Sequence, residues 1–290
     1  MHHRSSTVSH PVTYTAVLPT SRATVQHIAT LLLRHRFKVG TRAGRRVLGC
    51  FAQAVLICRF LLDAVRVSQL ARDNAMGTST AYRYVHEALD VLAAQAPGLR
   101  SALLAAHAAG HTHVSLDGTL VATNRVGVHG PTMRRGRREG QRVDLWWSGK
   151  HRRHGGNVQV LTAPDGWPIW VSPLRPGREH DTTCARTHPD LLDALDEFTA
   201  ADHKVLADLG YEGERDRLIC PNKQPKDGDL TVSERSFNRV HAHVRARAEQ
   251  GNARLKNYRV LQKVTLCPWR IGAITAAVLV VLHLEHDRTT

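Results

Sequence analysis

The sequence predicts an α/β protein: a mixed sheet flanked by helices, preceded by an all-α domain carrying a helix-turn-helix. Three observations carry this. β-prone runs appear only after a composition shift at Gly110, and the chain before it reads as helices. From there the order is strand, strand, strand, helix, strand, helix, which fits a hairpin meander and a strand returning through a helix. Two of those strands end on an aspartate with glycine close behind, in His113-Val114-Ser115-Leu116-Asp117-Gly118-Thr119 and in Lys204-Val205-Leu206-Ala207-Asp208-Leu209-Gly210-Tyr211.

Residues 1–20 are polar and read as a loosely ordered arm. Ser21 is placed to cap a helix to Leu33 with Val25, Ile28, Leu31 and Leu32 on one face. Arg34 to Arg46 is a basic link, and Val47 to Leu62 is an apolar helix. Residues 65–85 have helix-turn-helix form: Ser68 caps the first helix, Gly77 supplies the turn and Thr78 caps the second. In such a unit Ser79, Thr80, Tyr82 and Arg83 face outward toward bases and phosphates; the alternative is a plain helical bundle. Val85 to Leu104 continues as helix, broken near Pro97-Gly98, and the helical domain covers 21–108.

The second domain covers 109–290. His113 to Ala122 is its first strand, and Asn124 to Lys150 is an irregular insert with a dense basic run at Arg134, Arg135, Arg137, Arg138 and Arg142. That run reads as a segment ordering on a phosphate backbone, against a plain solvated loop. Lys150, Arg152 and Arg153 add a basic loop, and core packing is the commoner fate of Trp146 and Trp147 than stacking on an unpaired base. Asn157 to Ala163 and Ile169 to Leu174 flank Pro164-Asp165-Gly166 as a hairpin. Asp181 caps a helix over 182–198, kinked at Pro189; a strand over 203–208 follows, then a long helix capped by Ser233, and an apolar helix after Pro268.

Lys plus Arg number 40 against 25 acids, a formal charge of +15, which favours a polyanionic partner, nucleic acid above all. Five cysteines at 50, 58, 184, 220 and 267 show no CxxC or zinc-finger spacing and read as reduced thiols of a cytoplasmic protein. The apolar run Ile271 to Leu284 is 14 residues, too short to cross a bilayer, and reads as a buried helix.

This strand order sets the first strand beside the fourth, so Asp117 and Asp208 sit on neighbours, and the long helix brings Glu249 over them. Pattern alone reaches an RNase H-like architecture among other α/β folds. Two strand-end aspartates and one helical glutamate are the minimum of a carboxylate cage for Mg²⁺ or Mn²⁺, hard ions that take oxygen ligands. In a two-ion site, with the ions about 3.5–4 Å apart, such a cage suits in-line attack on a phosphodiester. Arg245, Glu249, Asn252 and Lys256 step by four, three and four and share a helix face. Periodicity alone would leave Glu249 a surface partner of Arg245.

The motifs Asp117-Gly118-Thr119, Ser148-Gly149-Lys150-His151 with Gly155 to Val160, His180-Asp181, Ala207-Asp208-Leu209-Gly210-Tyr211, residues 249–256 and Pro268-Trp269-Arg270 occur in this order. The chain thereby resembles DDE transposases of bacterial insertion sequences related to the PIF/Harbinger group, over about residues 45–285. The resemblance implies an RNase H-like catalytic domain with Asp117, Asp208 and Glu249 as the metal triad. It also implies Mg²⁺ dependence, cleavage at element ends, strand transfer into target DNA, helical-domain binding to terminal inverted repeats, and multimers on DNA. His180 and Asp181 are accessory candidates. Leu209 stands where the motif often carries Lys. Two alternatives stay open: a transposase-derived DNA-binding regulator, and a two-metal endonuclease that cuts without joining.

Overall fold

The computed structural model describes residues 17–290 except 43 and 133–138. Most of the arm and Arg134, Arg135, Arg137 and Arg138 therefore lie outside the described residues. The helical region comprises α1 (Arg22–Lys38), α2 (Cys50–Asp63), α3 (Val67–Asp73), α4 (Thr78–Ala93) and α5 (Leu99–Ala108). Ser21 caps α1, its Oγ accepting from the Thr24 amide at 3.0 Å, and Val25, Ile28, Leu31 and Leu32 are all buried.

α3 and α4 follow one another as expected, but with different punctuation. Arg66 and Gly77 hold the N-cap positions, so neither Ser68 nor Thr78 caps a helix. Each helix starts earlier than its hydroxyl residue requires, which puts that hydroxyl inside the first turn. The left-handed residue between the two helices is Ala75, at φ 50°, while Gly77 is extended. The helix read over 47–62 starts at Cys50, and the one expected over 85–104 is the end of α4 followed by α5.

The second half runs β1 (His113–Ala122), β2 (His129–Thr132), β3 (Arg142–Asp144), β4 (Trp147–Ser148), β5 (Arg153–Thr162), β6 (Pro168–Val171), β7 (Arg175–Pro176), α6 (Asp181–Thr187), α7 (Leu191–Ala200), β8 (Lys204–Ala207), α8 (Val232–Lys256) and α9 (Ile271–His286). β5 pairs antiparallel with β1, and β1 pairs parallel with β8, giving the order β4-β5-β1-β8, with β6 and β7 also on β5. This is a mixed sheet with flanking helices. The segment read as an irregular insert contains the β2–β3 hairpin and β4. The helix expected over 182–198 is two: proline at 189 forces His188 out of helical geometry, and Asp190 turns left-handed at φ 63° before α7.

α8 is capped by Thr231, not Ser233: the Thr231 hydroxyl accepts from the Glu234 amide while Glu234 accepts from the Thr231 amide. This reciprocal pair satisfies two orphan amides and outcompetes a lone serine two residues on. α8 docks through Ala248, Gly251 and Leu255. At Gly251 a Cβ would run into the Thr162 side chain of β5, so the close approach needs glycine. α9 is buried along most of its length, and its apolar core packs on α1, α4, β6 and α8. Taken with the turn before it, the helical stretch Pro268–His286 is long and apolar enough to cross a bilayer, unlike the 14-residue run read from sequence, but here it is the core helix on which both halves close. A single hydrophobic cluster runs through the helices and the sheet.

Candidate active site

Strand register builds the site. The last parallel pair of β1 with β8 is Leu116 with Ala207, and the next residues are Asp117 and Asp208. Two carboxylates thus leave neighbouring strands at one level. Asp208 also caps the short 3-10 helix Leu209–Glu214, its Oδ1 accepting from the Gly210 amide at 2.8 Å.

A third carboxylate joins them. Asp181 is the first residue of α6, whose N-cap position belongs to His180, so the capping role expected of Asp181 is not the one it plays. Its buried carboxylate accepts from Lys150 Nζ at 3.1 Å and from Asn157 Nδ2 at 2.7 Å. It lies over both glycines of the strand-end motifs. A Cβ on Gly118 would collide with Asp181 Oδ1, and one on Gly210 would come within 3.0 Å of Asp181 Oδ2. The glycine after each strand-end aspartate leaves room for this side chain.

Asp117 is held from α8. Arg245 donates to its Oδ1 at 2.9 Å and Asn252 to its Oδ2 at 2.7 Å. Burial pushes the Asp117 carboxyl up to about 6; Arg245 opposes the push, and the Asp208 and Asp181 charges add to it. Burial would lower the Lys150 ammonium, but Asp181 beside it outweighs that and holds it above its usual value. Lys256 is lowered by burial, with Asp117 partly offsetting this.

Glu249 behaves differently. It is exposed and makes no hydrogen bond or ion pair among the described residues, and its expected surface partner Arg245 is bonded to Asp117 instead. Among the described residues no group of three or more acidic, His or Cys side chains converges as a ready metal cage. The donor set still fits a hard divalent cation. The carboxylates raise one another's cost of ionisation, side-chain cations stand against two of them, and the buried Asn252 Oδ1 beside Asp117 has no partner.

Two contributors were missed in the sequence, Asn157 and Gln159. Tyr211 donates to Gln159 Oε1, Gln159 Nε2 donates to Asn157 Oδ1 at 2.9 Å, and Asn157 donates to Asp181, a buried relay under the carboxylates. The signal was present: two polar residues, alternating, inside a strand buried on both faces.

The basic candidates divide. Lys150 lines a cavity of about 510 Å³ with Trp147, His151, Arg178, His180 and Asp181. Arg152 and Arg153 are exposed, and so are Ser79, Tyr82 and Arg83 on α4, with Thr80 half-buried. Trp146 is core, set edge-on to Trp269, and Trp147 is half-buried against His154. Of the five cysteines, which are all free, Cys58, Cys184 and Cys220 are buried, and burial pushes the Cys58 thiol up to about 12.

Acidic ends of adjacent strands, crossed by a helix bearing cations, define a carboxylate-centred α/β protein with a basic rim. A family model described as DDE superfamily endonuclease matches residues 116–283, more than half of the 290-residue chain, and the chain belongs to that family. Membership makes DNA the substrate class and divalent metal the general requirement of the chemistry. No curated protein and no solved structure matches the chain.

Proposed function

We propose that the chain is a DNA transposase of the bacterial insertion-sequence kind, in the group related to PIF/Harbinger, acting on nucleoid DNA in the cytoplasm. It cleaves element ends and joins them to target DNA, with Mg²⁺ or Mn²⁺, two ions in all, held by Asp117, Asp208 and Glu249. The observation that carries this is the β1–β8 register, which brings the first two carboxylates out side by side. Glu249 supports it by its position on the helix whose Arg245 and Asn252 already touch Asp117, with its own carboxylate unengaged.

When bound, the metal would polarise the phosphodiester and ease loss of the nucleophile's proton. The chain's own groups do the rest. Arg245, Lys150 and Lys256 surround the carboxylates and meet phosphate oxygens. Asp181, paired with Lys150, lies over the glycines that follow the two strand ends. Hydrolysis adds water across a P–O bond and frees a 3′-hydroxyl; in joining, that hydroxyl attacks a target phosphodiester, the P–O bond to the target's 3′ oxygen breaks, and a target 3′-hydroxyl leaves with the proton.

α3 and α4 act as the helix-turn-helix of a DNA-binding domain over 21–108. The exposed Ser79, Tyr82 and Arg83 reach bases and phosphates of the terminal repeats, and Arg152, Arg153 and the arginines at 134, 135, 137 and 138 add further phosphate contacts. Removing one phosphate contact with Arg83→Ala should weaken DNA binding and reduce the salt slope by about 1. An unchanged slope, measured by anisotropy across salt concentrations, would take α4 off the DNA.

The deciding experiment incubates labelled element-end DNA with Mg²⁺ and target DNA. Cleavage and joining should be lost in Asp117→Ala, Asp208→Ala and Glu249→Ala, with Asp181→Ala partly active. Binding without cleavage in the wild type would favour the regulator, and cut products that are never joined would favour the endonuclease.

A further inference from the structure

Asn252 is bonded on one side only. Its Nδ2 donates to Asp117 Oδ2 at 2.7 Å, while its Oδ1 is buried with no hydrogen-bond partner among the described residues. Leaving a buried amide oxygen unpaired is costly. Its neighbour on the same carboxylate is in a similar state: Arg245 reaches Asp117 Oδ1 at 2.9 Å, yet its Nε is buried and unpartnered. Both oxygens of Asp117 are thus held by α8, one by a cation and one by an amide. Glu249 takes no part, and helix geometry says why. At about 100° per residue, Asn252 lies about 20° from Arg245 toward the core, and Glu249 about 40° from it toward solvent.

We propose that Asn252 is a metal ligand of this site, sharing with Asp117 an ion bound between α8 and the end of β1. A half-turn of the amide exchanges its nitrogen and oxygen without moving the rest of the side chain. The oxygen then faces the Asp117 carboxylate, an arrangement that an amide oxygen and a deprotonated carboxylate hold only around a cation. Hard divalent ions accept amide carbonyls beside carboxylates. The Arg245 guanidinium, which neutralises Asp117 in the ion-free protein, gives way and is released toward phosphate. The inference rests on the reading of this site as a metal site and adds to it a ligand outside the acidic triad.

The test uses Mn²⁺ and the full chain without DNA, following free Mn²⁺ by electron paramagnetic resonance. Wild type, Asn252→Ala, Asn252→Leu, Asn252→Asp, Arg245→Gln and Glu249→Gln are compared, each checked for folding by circular dichroism. Asn252→Ala should bind roughly tenfold to a hundredfold more weakly. Asn252→Leu, similar in shape, should show the same loss and serves if the alanine variant does not fold. Asn252→Asp should bind at least as tightly as wild type, and Arg245→Gln more tightly. Wild-type affinity in Asn252→Ala and Asn252→Leu, with binding lost in Glu249→Gln, would overturn the proposal and leave the metal site standing. No Mn²⁺ binding by wild type would overturn both.

Discussion

Asp117 carries a burden that shows in the stability of the ion-free chain. Burial pushes its carboxyl up to about 6, whereas an unfolded aspartate titrates near ~3.9. Between those values the folded chain binds the proton more tightly than the unfolded one. Stability therefore falls as pH rises from about 4, and the loss is complete above about 6. Two pKa units correspond to at most roughly 3 kcal/mol. Without metal, Asp117→Asn should be more stable than wild type at pH 7.5, with the gap closing toward pH 4. Urea unfolding at both pH values checks this; a wild type as stable as Asp117→Asn at pH 7.5 would mean that Arg245 and Asn252 compensate fully. Mg²⁺ should reverse the order by mass action, raising the melting temperature of wild type and not of Asp117→Asn. At this scale the sequence was most legible where chemistry is local: a carboxylate at a strand end, a serine before an amphipathic run. It was least legible where partners come from far along the chain. Nothing near Asp117 announces Asn252, 135 residues away, and the role of Asp181 depends on Lys150 and Asn157 rather than on the helix it opens.

Among elements, caps decide where helices begin. Ser21 could be read because nothing nearby competes, whereas the Thr231–Glu234 box was overlooked beside Ser233 although its spacing fits the capping-box pattern. Proline marked a kink at Pro189 but not the full split into two helices, because Asp190 in left-handed geometry has no sequence mark. The N-terminus of α1 has a partner no local reading reveals. Glu285 of α9 accepts from Thr20 Oγ1 at 2.7 Å, from the Ser21 amide at 2.9 Å and from Thr24 Oγ1 at 2.6 Å. Burial alone would raise the Glu285 carboxyl, but its bonds from Thr24 and Thr20 outweigh that and hold it below its usual value. Its contribution is therefore present above the unfolded pKa of about 4.3 and lost as pH falls through the folded value. Glu285→Ala should cost about 1–3 kcal/mol at pH 7, and little once Glu285 is protonated. An equal cost at pH 7 and in acid, by the same urea titration, would mean that packing rather than charge is lost.

In the whole molecule, helices and sheet share one hydrophobic cluster, and Arg270 bonds to Asp90 at 2.6 Å beside the α4–α9 contact. The composition shift at Gly110 marks a change of secondary structure more plainly than a break in the core. A shared core of this kind unfolds cooperatively, so calorimetry should show one transition; two resolved transitions would mean that residues 21–108 and 109–290 fold independently. The mixed sheet itself was legible because its strand order and turn residues are local signals. The β1–β8 pairing was inferred from order alone, and the short β2, β3, β4 and β7 were missed because so few residues carry no usable periodicity.

The position of α9 in the chain has a consequence for synthesis. Ribosomes release α1, α4 and β6 well before α9, the helix on which all three pack. Every nascent intermediate therefore exposes the apolar faces that α9 will cover, and α8, with its contacts to Asp117, emerges almost as late. A polypeptide cut short by a stop codon upstream of Ile271 would be prey for proteases, and a cell that makes it would carry little of a half-built DNA cutter.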